Sequence, residues 1–421
     1  MTYGLVLGGG GSRGSYELGV WKALNELNIE VSAIAGSSIG SINGALFIQG
    51  GFNLANELWL NLDFYRCFIA SEKTLTHRDK LVIKDIPNLI KSAFQNKGID
   101  ITPFKNLLQD YLDEEKIRNS NIDFGIVTYS LSNFRPLEIF IESIPQGQLI
   151  DYLMASSCFP GFKQSEIQGE KFVDGGVYNN IPAEMLLEKN ISAIITVNIH
   201  GPGKVKKFPK EKKNIIEVEC SEDLGPLFHF EKDKLIRNID IGYFDTLKKF
   251  KRIIGNYYYF HDEKIKDNSL LLPLNDEELN LILKSINYKA YSKKNLILSR
   301  VIAEISKYTQ KIPDGNTTIL TALEITAEVL NIERCKIYHY EELLDLILKT
   351  TLSHDLSSGN ILKINTNNKI INISVINYDL LINDENTINI RRSLAITSPK
   401  YFISSIFISL IKYRINKTSY N

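Results

Sequence analysis

The stretch SAIAGSSIGSINGAL, residues 32–46, places a serine among glycines and other small residues between two apolar runs. Its first half has the composition of a buried strand, and its second half is typical of the start of a helix. Between them, residues 36–40 match G-x-S-x-G, a pattern typical of a sharp strand-to-helix turn that exposes a serine hydroxyl. Side chains at Gly36 or Gly40 would collide with neighbouring backbone in such a turn. The following helix would present its N-terminus to Ser38, where it favours developing negative charge.

This turn belongs to a longer alternation of strands and helices in the first part of the chain. Runs rich in β-forming residues alternate with helical patterns from YGLVL (3–7) to AIITVNI (193–199), which predicts a mostly parallel sheet covered by helices. Toward the C-terminus glycine becomes rare, and Leu, Ile, Lys and Asn recur at helical spacing. The sequence therefore predicts an α/β domain over residues 1–265 and a mostly helical domain over 266–421, with a weak strand within 369–381.

The composition excludes several classes of protein. The 421 residues suffice for two or three domains, and 44% hydrophobic and 23% charged residues are ordinary globular values. A formal net charge of zero gives no reason to expect nucleic acid as a partner. The four cysteines lie far apart without a CxxC pair, which argues against a disulfide framework and a zinc site. The sequence shows neither a signal peptide nor an apolar stretch of about 20 residues, so we expect a cytoplasmic protein.

A second glycine-rich turn, LGGGGSRG (7–14), also follows a strand and enters a helix. Consecutive glycines let backbone amides converge on an anion, as in an oxyanion hole. The same residues satisfy G-x-G-x-x-G through Gly9, Gly11 and Gly14, the pattern of dinucleotide binding. Dinucleotide binding needs an acid at the far end of the second strand, but Glu30 precedes that strand and the serine turn occupies the far end. Nucleotide binding is disfavoured on this ground, although it stays an alternative.

A serine nucleophile needs a proton acceptor within hydrogen-bond reach. The segment KFVDGGVYNNIP (171–182) offers Asp174, which follows a short apolar run and precedes Gly175 and Gly176. Partial burial would raise the pKa of this carboxyl above about 3.9 and make it a better base. Asp-Gly is also the favoured pair of a type I′ hairpin turn, so a purely structural turn stays open. The histidine alternative is His200, which ends a predicted strand and would complete a Ser–Asp–His triad in the chain order of an α/β-hydrolase.

Taken together, these motifs resemble those of bacterial patatin-like phospholipases. The resemblance covers about residues 1–262, with a fainter match over 228–250. It rests on four segments in one order, GGGSRG (9–14), GSSIG (36–40), ASSCFPGF (155–162) and DGGVYNNIP (174–182). It implies a patatin-like three-layer α/β sandwich with a mostly parallel central sheet, and a serine–aspartate dyad that needs no metal and no cofactor.

The resemblance also implies a role for individual residues. Ser38 would be the nucleophile and Asp174 the base. The backbone of Gly9, Gly10 and Gly11 would form the oxyanion hole, with Arg13 close to that loop. Pro160 would shape the site. The implied activity is that of a lipid acyl hydrolase of the phospholipase A or lysophospholipase type, which cleaves fatty acids from phospholipids or lysophospholipids through an acyl-enzyme. The alternatives are a Ser–Asp–His esterase and a non-catalytic module that binds lipid or nucleotide through the glycine-rich loop.

Two basic segments offer contacts with a membrane. The segment GKVKKFPKEKK (203–213) carries six lysines and one acid, which suits either anionic headgroups or a solvated loop. Residues 391–421 contain no Asp or Glu, and their apolar residues recur at helical spacing. This pattern predicts either an interfacial helix or a helix that caps the core of the second domain. No motif assigns a role to that domain, and inhibition, targeting and recruitment of a protein activator all stay open.

Overall fold

A computed structural model of the chain describes residues 2–69, 98–191, 193–207, 214–263, 270–309, 315–355, 362–366, 369–373 and 385–419. The chain divides into two compact units, Met1–Lys251 (unit 1) and Arg252–Asn421 (unit 2). The division precedes the change of composition near residue 265 because unit 2 begins with two short strands of β-rich sequence. No helix within the described residues is both long and apolar enough to span a membrane.

Unit 1 is built around one eight-stranded sheet. Its strands are β1 (Tyr3–Leu7), β2 (Val31–Ser37), β3 (Asp123–Ser130), β4 (Arg135–Phe140), β5 (Ser165–Ile167), β6 (Glu170–Asp174), β7 (Ala193–Asn198) and β8 (Asn214–Glu219). Its helices are α1 (Ser15–Glu26), α2 (Ile39–Gln49), α3 (Phe52–Leu60), α4 (Phe64–Cys67), α5 (Thr102–Tyr111), α6 (Glu114–Arg118), α7 (Leu149–Ser156), α8 (Ala183–Glu188) and α9 (Lys232–Lys249).

Five of these strands are parallel, in the order β3-β2-β1-β7-β8, and β4, β5 and β6 pair antiparallel at one side. Helices cover both faces of the sheet. Met185 of α8 packs with Ala33 and Ala35, whereas a β-carbon at Gly44 of α2 would meet Ile34. Since neighbouring strand residues point to opposite faces, α2 and α8 lie on opposite sides. The mostly parallel sheet with helices around it is therefore confirmed.

The pairing of β3 joins two of the motifs identified in the sequence. Along one edge, β3 pairs with β4 over residues 125–130. Along its other edge, β3 pairs with β2 as far as Val127, opposite Ser37, and then with β6 from Thr128, opposite Asp174. A strand has only two edges, so β6 continues along β3 at the point where β2 ends. The turn after β2 and the carboxyl end of β6 therefore meet.

Unit 2 is mainly helical, as expected. Its helices are α10 (Asp276–Ser285), α11 (Lys294–Ser306), α12 (Gly315–Val329), α13 (Tyr340–Asp355), α14 (Glu385–Thr397) and α15 (Pro399–Ser419). Its strands are β9 (Ile253–Ile254), β10 (Tyr259–His261), β11 (Ile337–Tyr338), β12 (Leu362–Thr366) and β13 (Lys369–Ile373). Strand β13 covers the first part of the weak strand predicted within 369–381, and the remainder lies outside the described residues.

The C-terminal helix α15 belongs to the core of unit 2. Its apolar residues pack in one cluster with residues of α12 and α14, and Ser404, Ser405 and Ser409 are buried as well. Burial on both sides of the helix leaves no apolar face for a membrane surface. Of the two interpretations of residues 391–421, the structure supports the helix that caps the core.

Candidate active site

Ser38 lies in a strained turn between β2 and α2. Its φ is 54° and its ψ is −129°, a conformation that non-glycine residues adopt at a cost of about 1–3 kcal/mol. A β-carbon at Gly36 would lie 2.5 Å from the carbonyl carbon of Gly40, and one at Gly40 would lie 2.3 Å from the carbonyl oxygen of Leu7. Glycine at both positions therefore lets the chain turn this tightly.

Hydrogen bonds from two other serines hold the backbone of Ser38 in this conformation. The Ser38 amide donates to the hydroxyl of Ser156 (2.9 Å), which in turn donates to the carbonyl of Val127 (2.6 Å). The hydroxyl of Ser41 donates to the Ser38 carbonyl (2.6 Å). Ser156 lies in the ASSCFPGF segment quoted above, but nothing in the sequence assigned it this contact.

Asp174 lies at the carboxyl end of β6 and is 6% exposed. Its carboxylate accepts a hydrogen bond from the Gly176 amide (2.8 Å), and Ser38 and Asp174 line the same cavity. Burial raises the pKa of Asp174 to about 6, while the neighbouring Ser38 side chain and the Gly176 amide oppose the increase. The structure thus brings together the serine and the aspartate that the sequence singled out, and the carboxylate has a pKa suited to a base at neutral pH.

The first glycine-rich loop lies beside Ser38, and Asn180 fixes its position. The side-chain amide of Asn180 donates to the Gly9 carbonyl (3.0 Å), and its oxygen accepts from the Gly9 amide (3.1 Å). A β-carbon at Gly9 would lie 2.9 Å from the β-carbon of Ser38, so only glycine allows this approach. Asn180 is part of the quoted VYNNIP sequence, yet its contact spans 171 positions and was not predicted.

Not every residue predicted for the oxyanion hole has a backbone amide that is free to donate a hydrogen bond. The Gly9 amide is occupied by Asn180, whereas the amides of Gly10 and Gly11 donate to no group in the described part of the chain. Gly10 and Gly11 both line the cavity described below. The guanidinium of Arg13 donates to the carbonyls of Gly225 (2.8 Å) and His200 instead of entering the cavity. Arg13 therefore supports the loop from outside.

Ser38 and Asp174 line the same cavity. Most of its other side chains are apolar or aromatic, and they include Ile39, Ile42, Leu62, Phe68, Ile101, Phe104, Phe159, Phe162, Leu227, Phe228 and Phe230. Several of the rings touch one another; the centroids of Phe162 and Phe228, for example, are 5.6 Å apart. The segments that contribute Phe159, Phe162, Phe228 and Phe230 were quoted from the sequence, whereas those of Phe68 and Phe104 were not, and the convergence of the rings was not predicted. The cavity suits a long apolar group beside a serine hydroxyl.

Two other residues singled out in the sequence lie outside this cavity. His200 is exposed and does not line it. Pro160 is exposed as well, between the cavity-lining Phe159 and Phe162. Among the described residues that line the cavity, Ser38 and Asp174 lie together and none is a histidine.

Comparison with known proteins gives a consistent result. Residues 5–187 match the family model described as patatin-like phospholipase. The rat patatin-like phospholipase domain-containing protein 7 is 25% identical over 200 residues, which cover 46% of this chain and 13% of the rat protein. A lysophospholipase of Mycosarcoma maydis is 27% identical over 202 residues, which cover 47% of this chain and 10% of that protein. The chain thus matches only a small part of each relative's length.

A solved structure, that of VipD from Legionella pneumophila, aligns with 98% of this chain and 91% of its own, at 13% identity and a TM-score of 0.38.

Proposed function

We propose that this chain, whose residues 5–187 belong to the patatin-like phospholipase family, is a lipid acyl hydrolase of the phospholipase A or lysophospholipase type. The observation that carries the proposal is that Ser38 and the buried Asp174 carboxylate lie together at the wall of an aromatic cavity. A hydroxyl paired with a base and facing an apolar cavity suits attack on the ester of a fatty acid.

In the first stage, Asp174 takes the proton of Ser38 while the serine oxygen attacks the ester carbonyl carbon. The negative charge that develops on the carbonyl oxygen is stabilised by the free amides of Gly10 and Gly11 and by the N-terminus of α2. When the C–O bond of the ester breaks, protonated Asp174 gives its proton to the leaving alcohol. The products are a lysolipid or a glycerophosphodiester and an acyl group bound to Ser38.

In the second stage, a water molecule loses a proton to Asp174 and attacks the acyl-enzyme. The new oxyanion would be held by the same two amides. Collapse of the intermediate releases the fatty acid, and Ser38 recovers its proton from Asp174. The two stages need no group besides the serine, the aspartate, the amides and water.

The substrate class follows from the cavity and from the relatives. Its aromatic lining suits the acyl chain of a phospholipid or lysophospholipid, and one relative bears the name lysophospholipase. Because such substrates reside in membranes, we also propose that the chain contacts a membrane peripherally from the cytoplasm. A protein activator that acts through unit 2 stays a prediction.

The test of this proposal replaces Ser38 and compares the result with its neighbour Ser37. Ser37 is fully buried and its hydroxyl has no hydrogen-bond partner in the described part of the chain, so Ser37→Ala is a matched control. We expect Ser38→Ala to lose hydrolysis of phospholipid and lysophospholipid esters and labelling by a fluorophosphonate probe, while Ser37→Ala keeps both. Full activity in Ser38→Ala would show that another residue is the nucleophile.

A further inference from the structure

Two loops lie side by side at one edge of the cavity. The first comprises residues 175–180 and the second residues 201–207, and we refer to them together as the rim loops. The Lys204 amide donates to the Gly176 carbonyl (2.8 Å), and the Asn180 amide donates to the Lys204 carbonyl (2.7 Å). Pro202 of the second loop lines the cavity and is exposed to solvent, which places it at the opening.

Each rim loop exposes one aliphatic side chain to solvent, and neither side chain has a role in the candidate active site described above. Val177 and Val205 are each 47% exposed. Single exposed apolar residues are common on protein surfaces, so one valine alone would carry no argument. Here two exposed valines lie on two loops that are hydrogen-bonded to each other and that lie at the opening of an apolar cavity.

The second rim loop adds positive charge around these valines. Lys204, Lys206 and Lys207 follow one another within four positions, and residues 200–207 contain no acid. The ammonium of Lys206 lies 3.5 Å from the centroid of the Tyr178 ring, and Glu138 and Glu184 act on it electrostatically. Lys204 and Lys207 are exposed and form no ion pair with a described residue.

We propose that the rim loops dock on a bilayer surface that contains anionic phospholipid. Val177 and Val205 enter the boundary between headgroups and acyl chains, and Lys204 and Lys207 bind the headgroup phosphates. The choice of this partner rests on charge complementarity and on the continuity of the loops with an apolar cavity, because a lipid that leaves the bilayer there passes directly toward Ser38. The proposal builds on the proposed hydrolase function and names the surface from which that site takes its substrate.

Vesicle binding and ester hydrolysis test the two proposals separately. We would measure cosedimentation with phosphatidylcholine vesicles with and without phosphatidylserine, and hydrolysis of a soluble short-chain p-nitrophenyl ester. We expect Lys204→Glu/Lys207→Glu to bind phosphatidylserine vesicles at least about tenfold more weakly, since each lysine near an anionic surface contributes about 1 kcal/mol. We expect Val177→Ser/Val205→Ser to bind both kinds of vesicle more weakly. Neither variant should change hydrolysis of the soluble ester.

Matched controls come from exposed residues elsewhere in unit 1. Phe134 is 80% exposed, and Lys116 and Lys171 are exposed lysines outside the rim loops. We expect Phe134→Ser and Lys116→Glu/Lys171→Glu to bind vesicles as the unchanged protein does. Equal losses in rim and control variants, or no vesicle binding by the unchanged protein, would overturn the docking proposal and favour a protein partner for this surface. Failure of soluble-ester hydrolysis in the unchanged protein would instead contradict the hydrolase proposal.

Discussion

The surroundings of Asp174 in unit 1 and of Glu324 in unit 2 show two ways to bury a carboxylate. Glu324 of α12 is 1% exposed, and its oxygens accept hydrogen bonds from the amides of Asn256, Tyr257 and Tyr258 and from the side chain of Asn256. The carboxylate of Asp174 accepts from the Gly176 amide, lies beside Ser38 and lines a cavity.

This difference distinguishes a carboxylate that fixes a loop from one that we propose to be reactive. Four N–H groups donate to Glu324 and hold the loop of residues 256–258 against α12. Asp174 is buried with fewer donors, so burial raises its pKa and makes proton uptake possible near neutral pH. Burial alone therefore does not distinguish the two carboxylates, whereas the number and kind of their donors do.

The largest effect in this comparison should come from Asp174→Asn. The amide keeps the shape of the side chain but cannot accept the proton of Ser38, so we expect kcat/KM for a lipid ester to fall by about four orders of magnitude. Hydrogen exchange should show that unit 1 remains folded. An active Asp174→Asn variant would mean that another group is the base.

Glu324→Gln is the counterpart in unit 2. It replaces an acceptor oxygen by an NH₂ group that faces N–H donors, so we expect the free energy of unfolding to fall by about 2–3 kcal/mol. Hydrogen exchange of α12 and of residues 255–258 would measure this loss. The comparison fails if this variant loses ester hydrolysis while its exchange pattern is unchanged.

The dependence of activity on pH should follow the ionisation of Asp174. Only the carboxylate form accepts a proton, so kcat/KM should rise with pH through about 6 and fall about tenfold for each pH unit below that value. Initial rates on a soluble ester, measured across this region in buffers of constant ionic strength, provide the profile. A flat profile would contradict Asp174 as the base.

Glu17 is a third buried carboxylate, to be compared with Asp174 and Glu324. We expect its ionisation to change the stability of unit 1. It is fully buried on α1, accepts a hydrogen bond from Asn43 (2.7 Å), and has one oxygen without a partner in the described structure. Burial raises its pKa to about 8. Because the folded state holds this proton more tightly than the unfolded chain does, its contribution is complete below about 4.5 and is lost as the pH rises toward 8.

We therefore expect the free energy of unfolding of unit 1 to fall by up to about 1.4 kcal/mol per pH unit in this range, and Glu17→Gln to reduce that slope. Both tryptophans, Trp21 and Trp59, belong to unit 1, so their fluorescence reports its unfolding in urea. Equal slopes in the two proteins would show that Glu17 is not responsible.

The smallest effect should come from His200→Ala. His200 is exposed and lies outside the cavity, so we expect its removal to change kcat/KM by less than about twofold. A Ser–Asp–His triad requires a loss of several orders of magnitude on the same substrate. This measurement distinguishes a dyad from a triad.

Local sequence patterns predicted the elements of the site because their causes are local. The G-x-S-x-G turn needs glycine at positions 36 and 40 to avoid collisions within a few residues of Ser38. In the same way, alternating apolar runs predicted the mostly parallel sheet of unit 1 and helical spacing predicted the helices of unit 2. Both kinds of signal depend on side chains that are close in sequence.

The sequence patterns did not predict contacts between segments that lie far apart in the chain. The pattern did not show that Asn180 occupies the Gly9 amide and so leaves Gly10 and Gly11 as the free donors. Nor did it show that rings from four separate segments line one cavity, or that α15 is buried on both sides. Each of these contacts depends on packing between elements, which one segment's periodicity does not encode.

The sequence by itself singled out the residues that we propose to react, since a serine between two glycines and an aspartate before two glycines are set by short-range sterics. Only the tertiary structure decided that they meet. Strand β2 pairs with β3 as far as Val127, and β6 pairs with the same edge of β3 from Thr128 onward. This register places Asp174 beside the turn that contains Ser38. Register between strands so far apart in the chain is fixed by hydrogen bonding and packing across the whole sheet, and that information lies in no single motif.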